Sequence, residues 1–445
     1  MATASLNLAS LLATLDDTID ELSDPRNPSN AIRYSLRDAV LGAFSAFFMQ
    51  SESFLEHQRH MNSRSGKDNA QSLFGLVQIP SVEQIRNILD QIAAHQLFPV
   101  FERLYQTLQE QGHLEPFKVL EGSLLVALDG TDYYSSQKVS CPCCSKRTSR
   151  KDVVTYSHKA LLPVIVSPTQ TSVISLPPAF ITPQDGHAKQ DCEQTAAKRW
   201  ISSAVKLFKG QAVTLLGDDL FSRQPMCEAA LESDFSFIFV CLPESHPTLY
   251  DWIAFNQKNG NVKQLEQIKP NGKTDEVWQL RYLNDVPLRS QAPTLPVNWC
   301  ELTVTRQSDG KVLYLNSWVT DHPLTEETVV DVAQSGRCRW KTENENHNVL
   351  KTKGYHLEHN FGHGKQHLSA FLLALNLIAF LFHTALALTN EPYQQIRQIR
   401  GTRKGFFQDI LALTKYVWFE SWDALIDFML DEKKTSAKSM RRNTS

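Results

Sequence analysis

The sequence predicts an α/β fold: a mixed sheet flanked by helices, with a strand-rich insertion and helical regions before and after it. Three observations lead there. Short apolar runs at 124–131, 160–168 and 171–181 read as strands, and helix and strand then alternate through residue 242. Residues 246–328 switch to the two-residue alternation of antiparallel strands. Before residue 115 and after residue 390, apolar residues recur every three or four positions, the period of a helix buried along one side.

In order, residues 1–115 predict helices, with "SLRDAVLGAFSAFFMQSESFLEHQRHM" and "PSVEQIRNILDQIAAHQLFPVFERLYQTLQEQG" as the clearest and Pro80-Ser81 as a start signal. Residues 116–245 hold the first part of the sheet in the order βββαβαβ: "LLVALDGT", "ALLPVIVSP", "TSVISLPPAFI", a helix over 187–210, "AVTLLGDD", "PMCEAALES" and "FSFIFVCL". The insertion, 246–328, contains "EVWQLRYLNDVPLR", "VNWCELTVTRQ" and "KVLYLNSWVTD", with "SDG" as a hairpin signal between the last two. Residues 329–390 return to the core through helices, and 391–445 end in helices and a basic tail carrying Lys433, Lys434, Lys438, Arg441 and Arg442.

The totals narrow the function. A net charge of −3 and a pI near 6.5 exclude a global positive field, so any nucleic-acid footprint has to be local. The start, "MATASLNLASLLATLDD", has no basic stretch and no small-residue cleavage site, which predicts a cytoplasmic protein with reduced thiols. "LSAFLLALNLIAFLFHTALAL", 368–388, is long enough to span a bilayer. It carries Asn376 and His383, follows a highly polar stretch and stands alone, so a buried core helix is expected and no membrane partner.

Two aspartates fall where an α/β sheet exposes side chains, at the carboxyl ends of strands. Asp129 closes "LLVALDGT" and Asp218 closes "AVTLLGDD". Either alone can be a turn residue, as Asp before Gly often is; together at a core boundary they would repel and invite a divalent cation. A third acid lies in "RWKTENENHNVLKTKGYHLEHNFGHGKQH", 339–367, which concentrates five histidines and three glutamates. On an α-helix, Arg339, Glu343, His347 and Lys351 lie along one stripe and Glu345 points nearly opposite.

Strand-borne Asp129, strand-end Asp218 and helix-borne Glu343, in a βββαβαβ order with a long strand-rich insertion before the glutamate, resemble the DDE transposases of bacterial insertion sequences. The insertion is similar to that of the branch typified by insertion sequence four, whose signature is tyrosine, arginine, glutamate, lysine. "RWKTE" matches its arginine and glutamate with Arg339 and Glu343. Gly336 stands at the tyrosine position and Leu350 at the lysine position, with Lys351 one place later. The similarity covers roughly 124–388.

That resemblance implies a ribonuclease-H-like core and metal-dependent DNA cleavage and strand transfer at the ends of a mobile element. It implies that Asp129, Asp218 and Glu343 are catalytic and hold two Mg²⁺ ions, with Mn²⁺ able to substitute. Asp132, Asp219 and Glu345 are the adjacent alternatives. Arg339 and Lys351 would grip phosphates, His359 or His363 would touch DNA, and Trp318 or Trp299 of the insertion could stack on a flipped base. The N-terminal helices would read terminal inverted repeats, with Arg33, Arg37, Arg59, Arg64, Lys67 and Arg86 as phosphate contacts. The partners implied are element-end and target DNA and a second copy of the chain. The alternatives are a catalytically silent DNA-binding descendant and a nuclease that cuts without joining.

"SCPCCSKRT" places Cys141 and Cys144 in a C-x2-C pair. This is half of a closed zinc site, which His187 and Cys192, or His158, could complete; a loop thiol cluster is the other reading. Cys227, Cys241, Cys300 and Cys338 are expected to be small buried hydrophobes.

Overall fold

The computed structural model describes residues 6–28, 32–61, 64–183, 192–272 and 274–431, with the side chains of 64–68 left out. The chain is mixed α/β, with one large mixed sheet and helices against it. Six helices come first: α1 (Leu8–Asp20), α2 (Leu36–Phe48), α3 (Phe54–Met61), α4 (Arg64–Phe74), α5 (Val82–Leu89) and α6 (Phe98–Glu110). Ser35 and Ser81 cap α2 and α5 by accepting the backbone N–H groups of Asp38 and Gln84, so the Pro80-Ser81 start signal is realised.

Then follow β1 (Lys118–Val119), β2 (Ser123–Ala127), β3 (Gly130–Ser136), β4 (Ser145–Thr148), β5 (Val154–Leu161), β6 (Val164–Val166), β7 (Ile174–Ser175) and β8 (Ala179–Ile181). Next are α7 (Glu193–Leu207), β9 (Val213–Gly217), α8 (Gln224–Leu231), β10 (Ser236–Val240) and α9 (Pro247–Lys258). The insertion continues with β11 (Lys263–Lys269), β12 (Glu276–Pro287), β13 (Pro296–Arg306) and β14 (Val312–Thr320). The chain closes with α10 (Val329–Arg337), a π-helical segment (Thr342–His347), α11 (Asn348–Thr352), α12 (Leu368–Thr389), α13 (Glu391–Arg400), α14 (Arg403–Tyr416) and a helix over 422–431.

The large sheet runs β11-β12-β13-β14-β10-β9-β2-β6-β7, with β1 also on β2. At its centre β2 pairs parallel to β9, and β9 parallel to β10, while β6 and β7 are antiparallel to their neighbours. The strands of the insertion do not form a separate body. β14 pairs antiparallel to β10, so they extend the same sheet outward.

Two departures from the sequence reading occur beside the first aspartate. The run 160–168 is not one strand: Pro163, which cannot donate to a ladder, divides β5 from β6. Likewise Pro177 and Pro178 divide 171–181 into β7 and β8. The outer halves join β3 and β4 in a small second sheet, β3-β5-β4 with β8 on β5. β2 leaves the large sheet at Asp129, whose carbonyl accepts Leu162 N–H at 2.9 Å, and continues as β3. Asp129 therefore sits at the seam between two sheets.

Helix α12 runs through the middle, with 89% of its most apolar window buried inside the protein. It lies against α2, α6, α13 and β7. His383 stacks on Phe48 at 3.9 Å and bonds to the Tyr393 hydroxyl and the Phe48 carbonyl, each at 2.9 Å, while Asn376 donates to the Tyr355 carbonyl. The polar residues that spoke against a membrane span thus serve internal bonds. Its N-terminus is capped by Asp90, which accepts four backbone N–H groups, from Lys365 to Leu368, at 2.8–3.1 Å. Burial opposes the Asp90 charge, but these donors outweigh it and hold the carboxyl below its ordinary value.

Candidate active site

The register of the central strands aligns the two aspartates. Leu124 pairs with Val213 and Ala127 with Leu216; continued by two residues, the same register sets Asp129 opposite Asp218. Both therefore stand at the carboxyl ends of adjacent parallel strands, where a backbone has no further ladder to make. Asp218 accepts Leu220 N–H at 2.9 Å, which closes the turn after β9.

The geometry separates each acid from its neighbour. Asp219 is committed elsewhere: it accepts Leu242 N–H at 2.8 Å and the Ser245 hydroxyl, tying β9 to the start of α9. Asp132 points from β3 toward Lys159 at 3.4 Å on the second sheet. Glu345 lines a cleft of about 1050 Å³ beside Lys353, His356 and Arg403, apart from Asp129. Glu343 joins the aspartates through Arg339, whose guanidinium lies 2.8 Å from Glu343 Oε1 and 3.8 Å from Asp129 Oδ2. His347 Nδ1 lies 3.7 Å from the same Asp129 oxygen.

Arg339, Glu343 and His347 share one side, as their spacing predicts, but the helix is not a plain α-helix. Residues Thr342–His347 form a π-helix, a rare widened turn that occurs frequently at functional sites. Lys341 anchors the segment. Its buried ammonium donates to the carbonyls of Ser167, at 2.6 Å, and Gln170, in the loop after β6. Lys341 is thus a tie between the glutamate segment and the sheet. Inside the widened turn, both side-chain polar atoms of Asn346 are buried with no hydrogen-bond partner among the described residues. Lys351 turns away and pairs with Glu358 at 2.8 Å.

Sequence reading missed a fourth carboxylate. Glu193, the first residue of α7, accepts Gly130 N–H at 2.8 Å. A Cβ at position 130 would come within 2.7 Å of its carboxyl carbon, so the glycine after Asp129 admits this acid rather than making a turn. In sequence Glu193 had no signal: it is one charged residue in an amphipathic helix.

The electrostatics follow from burial. Asp129 is pushed from 3.8 up to about 7, first by desolvation, against the Arg339 charge, with Glu193, Glu343 and Asp218 adding to the rise. Desolvation, then the Asp218 charge, also pushes Glu193 up, against the bond from Gly130 N–H. Desolvation and the Lys351 charge pull His347 down to about 4, so its ring is neutral at physiological pH. Asp129, Asp218, Glu193 and Glu343 therefore act on one another electrostatically around one guanidinium and one neutral imidazole, a repulsion that a divalent cation would relieve.

Other expected residues divide. His359 is exposed on the loop before α12, its ring packed against Phe361 at 4.8 Å. Trp318 does not reach the surface. Both Trp318 and Trp299 are wholly buried, because the insertion is part of the large sheet and its inward indoles fill the layer under α10 and α9. Neither indole is therefore presented at the surface for the expected base stacking. Trp318 also explains the departure at 336: a Cβ there would lie 2.7 Å from its indole nitrogen, so Gly336 is required. Arg37 is bound to Asp16 and the Gly75 carbonyl, and Arg86 to the Phe361 carbonyl, so both serve the fold. The Arg64 and Lys67 side chains, His187 and the basic tail after Asp431 lie outside the described residues.

His363, expected to touch DNA, is buried beside Cys144. Cys141 and Cys144 meet His158 and His363. Cys192, expected to complete the set, is instead exposed at the N-cap of α7. The four single cysteines, 227, 241, 300 and 338, are buried as expected.

Neither any protein-family model nor any curated protein matches this chain.

Proposed function

We propose that the chain is a DDE-type transposase that cuts DNA at the ends of an insertion sequence and joins them to a target, working as a dimer on paired ends. One observation carries the reading. Carboxylates 129 and 218 stand half-buried at the ends of adjacent parallel strands, and the exposed carboxylate of Glu343 is linked to Asp129 through Arg339. The central strands add support. In the large sheet, neighbouring antiparallel β2, β6 and β7 and parallel β9 and β10 are compatible with the expected ribonuclease-H-like core, with β3–β5 inserted between β2 and β6.

The donor set fits divalent metal. Hard oxygen ligands, mutual repulsion and a raised Asp129 are what Mg²⁺ or Mn²⁺ would offset, with Asp129, Asp218 and Glu343 as the ligands. Bound there, two ions supply activation of the attacking oxygen and stabilisation of the leaving oxygen at a phosphodiester. The protein's own groups do the rest. Arg339 offers a guanidinium that can exchange a carboxylate for a phosphate, and Lys351, paired with Glu358, is a second cation farther along the same segment. Neutral His347 keeps a nitrogen toward Asp129 without adding charge. Lys341 and the π-helix fix the distance of Glu343 from the strands.

The test is cleavage and joining of a duplex taken from the flanks of the protein's own gene, with Mg²⁺, with EDTA, and with Glu343→Gln beside Glu345→Gln. Metal-dependent nicking should survive Glu345→Gln and drop at least ~100-fold in Glu343→Gln, as loss of a metal ligand implies. Equal loss in both variants, or nicking unaffected by EDTA, would sink the assignment. Binding without cleavage would point to a silent DNA-binding descendant.

A further inference from the structure

We infer that Cys141, Cys144, His158 and His363 form a structural zinc site that fastens the small second sheet to the loop entering α12. The inference does not rest on the reading of the carboxylate pocket. The four ligand atoms lie within 4.8 Å of one another. Tetrahedral zinc, with Zn–S of ~2.3 Å and Zn–N of ~2.05 Å, sets sulfur–sulfur edges of ~3.8 Å and sulfur–nitrogen edges of ~3.6 Å. Cys141 Sγ to Cys144 Sγ is 3.8 Å. His158 Nε2 is 3.5 Å from Cys141 Sγ and 3.3 Å from Cys144 Sγ, and His363 Nε2 is 3.6 Å from Cys144 Sγ. Four of the six edges thus match a tetrahedral zinc, and thiol hydrogen bonding alone has no need of four such atoms in one group.

The surroundings suit a closed metal. Three of the four residues are buried, and Tyr134 stacks on His363 at 4.3 Å. Cys141 N–H donates to Cys144 Sγ at 3.4 Å, the kind of bond that favours a thiolate. Two thiolates, two neutral imidazoles and Zn²⁺ sum to zero charge, so the filled site can be buried without an unpaired ion. Loading transfers no electrons; each thiol that becomes a ligand releases its proton to solvent. Four protein ligands leave no open position, which makes the role structural.

The topology states what the zinc would hold. Cys141 and Cys144 precede β4, His158 is on β5, and His363 lies 219 residues beyond Cys144, between the glutamate segment and α12. Asp90 grips the same loop just after, through Lys365–Leu368. The far end of the segment carrying Glu343 is thus fixed to the sheet that begins at Asp129.

The full chain, purified without chelators, should carry about one zinc per chain by plasma mass spectrometry. Cys144→Ser and His363→Ala should fall at least ~10-fold, while Cys192→Ser and His359→Ala keep the metal. Where the ligand variants fail to fold, Co²⁺ exchanged into the wild-type chain decides: intense visible bands with a thiolate charge-transfer shoulder mark a tetrahedral site with two sulfurs. His363→Cys should keep the metal and strengthen that shoulder. A folded wild-type chain that holds less than ~0.1 zinc after loading with excess Zn²⁺ and gel filtration would overturn the site. So would a six-coordinate cobalt spectrum, or loss of zinc in Cys192→Ser equal to that in Cys144→Ser.

Discussion

Asp129→Asn should make the metal-free protein more stable above neutral pH, although it removes a proposed metal ligand. The carboxyl is held at about 7 in the folded chain against 3.8 ordinarily, mainly because it is desolvated. Each tenfold change in proton affinity is worth ~1.4 kcal/mol, so ionising Asp129 in the fold costs about 4 kcal/mol. A group whose folded value is raised contributes its stability below the unfolded value and loses it as pH climbs to the folded one. The wild type therefore weakens between about pH 4 and pH 7 relative to an asparagine that does not titrate. Urea unfolding in EDTA should show a gap in favour of Asp129→Asn of about 1 kcal/mol at pH 4.5, growing to about 4 kcal/mol at pH 8. Mg²⁺ should shrink the gap at pH 8, because it binds only the folded wild type. A gap that stays constant with pH, or an Asp129→Asn chain that is the less stable one at pH 8, would refute the account of a desolvated, mutually repelling pocket.

Three further expectations concern the frame of the pocket. Gly336→Ala should cost about 1–3 kcal/mol through overlap with the Trp318 indole, and Trp318→Phe in the same chain should return part of it; additive losses in the urea midpoints would discard that contact. Lys341→Ala should cost about 1–3 kcal/mol by leaving the Ser167 and Gln170 carbonyls without their buried donor, and an unchanged midpoint would mean that water replaces it. Trp318→Ala should lower stability by about 3–5 kcal/mol, as for any large core aromatic, while affinity for single-stranded DNA per folded molecule stays at the wild-type level.

The central strands were legible because both faces of β2, β9 and β10 are buried, which forces continuous apolar runs, and those of β2 and β9 end abruptly at an acid. The same burial made α12 readable. Glu193 was not, since nothing local distinguishes an acid that enters a pocket from one that faces water. The second sheet was hidden because β3 and β4 are polar, and because Pro163 divides two strands that hydropathy runs together. α9 and β11 escaped for a similar reason: their apolar residues are mostly exposed or half-buried. The C-x2-C pair was visible and His158 was among its candidate partners, but the fourth residue, His363, comes from a loop 219 residues away, which spacing cannot supply. The π-helix breaks the 100° rule on which the stripe from Arg339 to Lys351 was drawn, and Lys351 is the member that leaves it.

The order of these parts along the chain sets when the acidic pocket can exist at all. Asp129 and Asp218 are synthesised early and can align as soon as β2 and β9 pair. Glu343 follows 125 residues after Asp218, and the helix beyond it is buried only once α2, α6 and α13 close around it. A ribosome-bound or prematurely terminated chain thus holds an incomplete set of carboxylates. Under the proposed activity, such fragments would be unable to cut the gene from which they are being read.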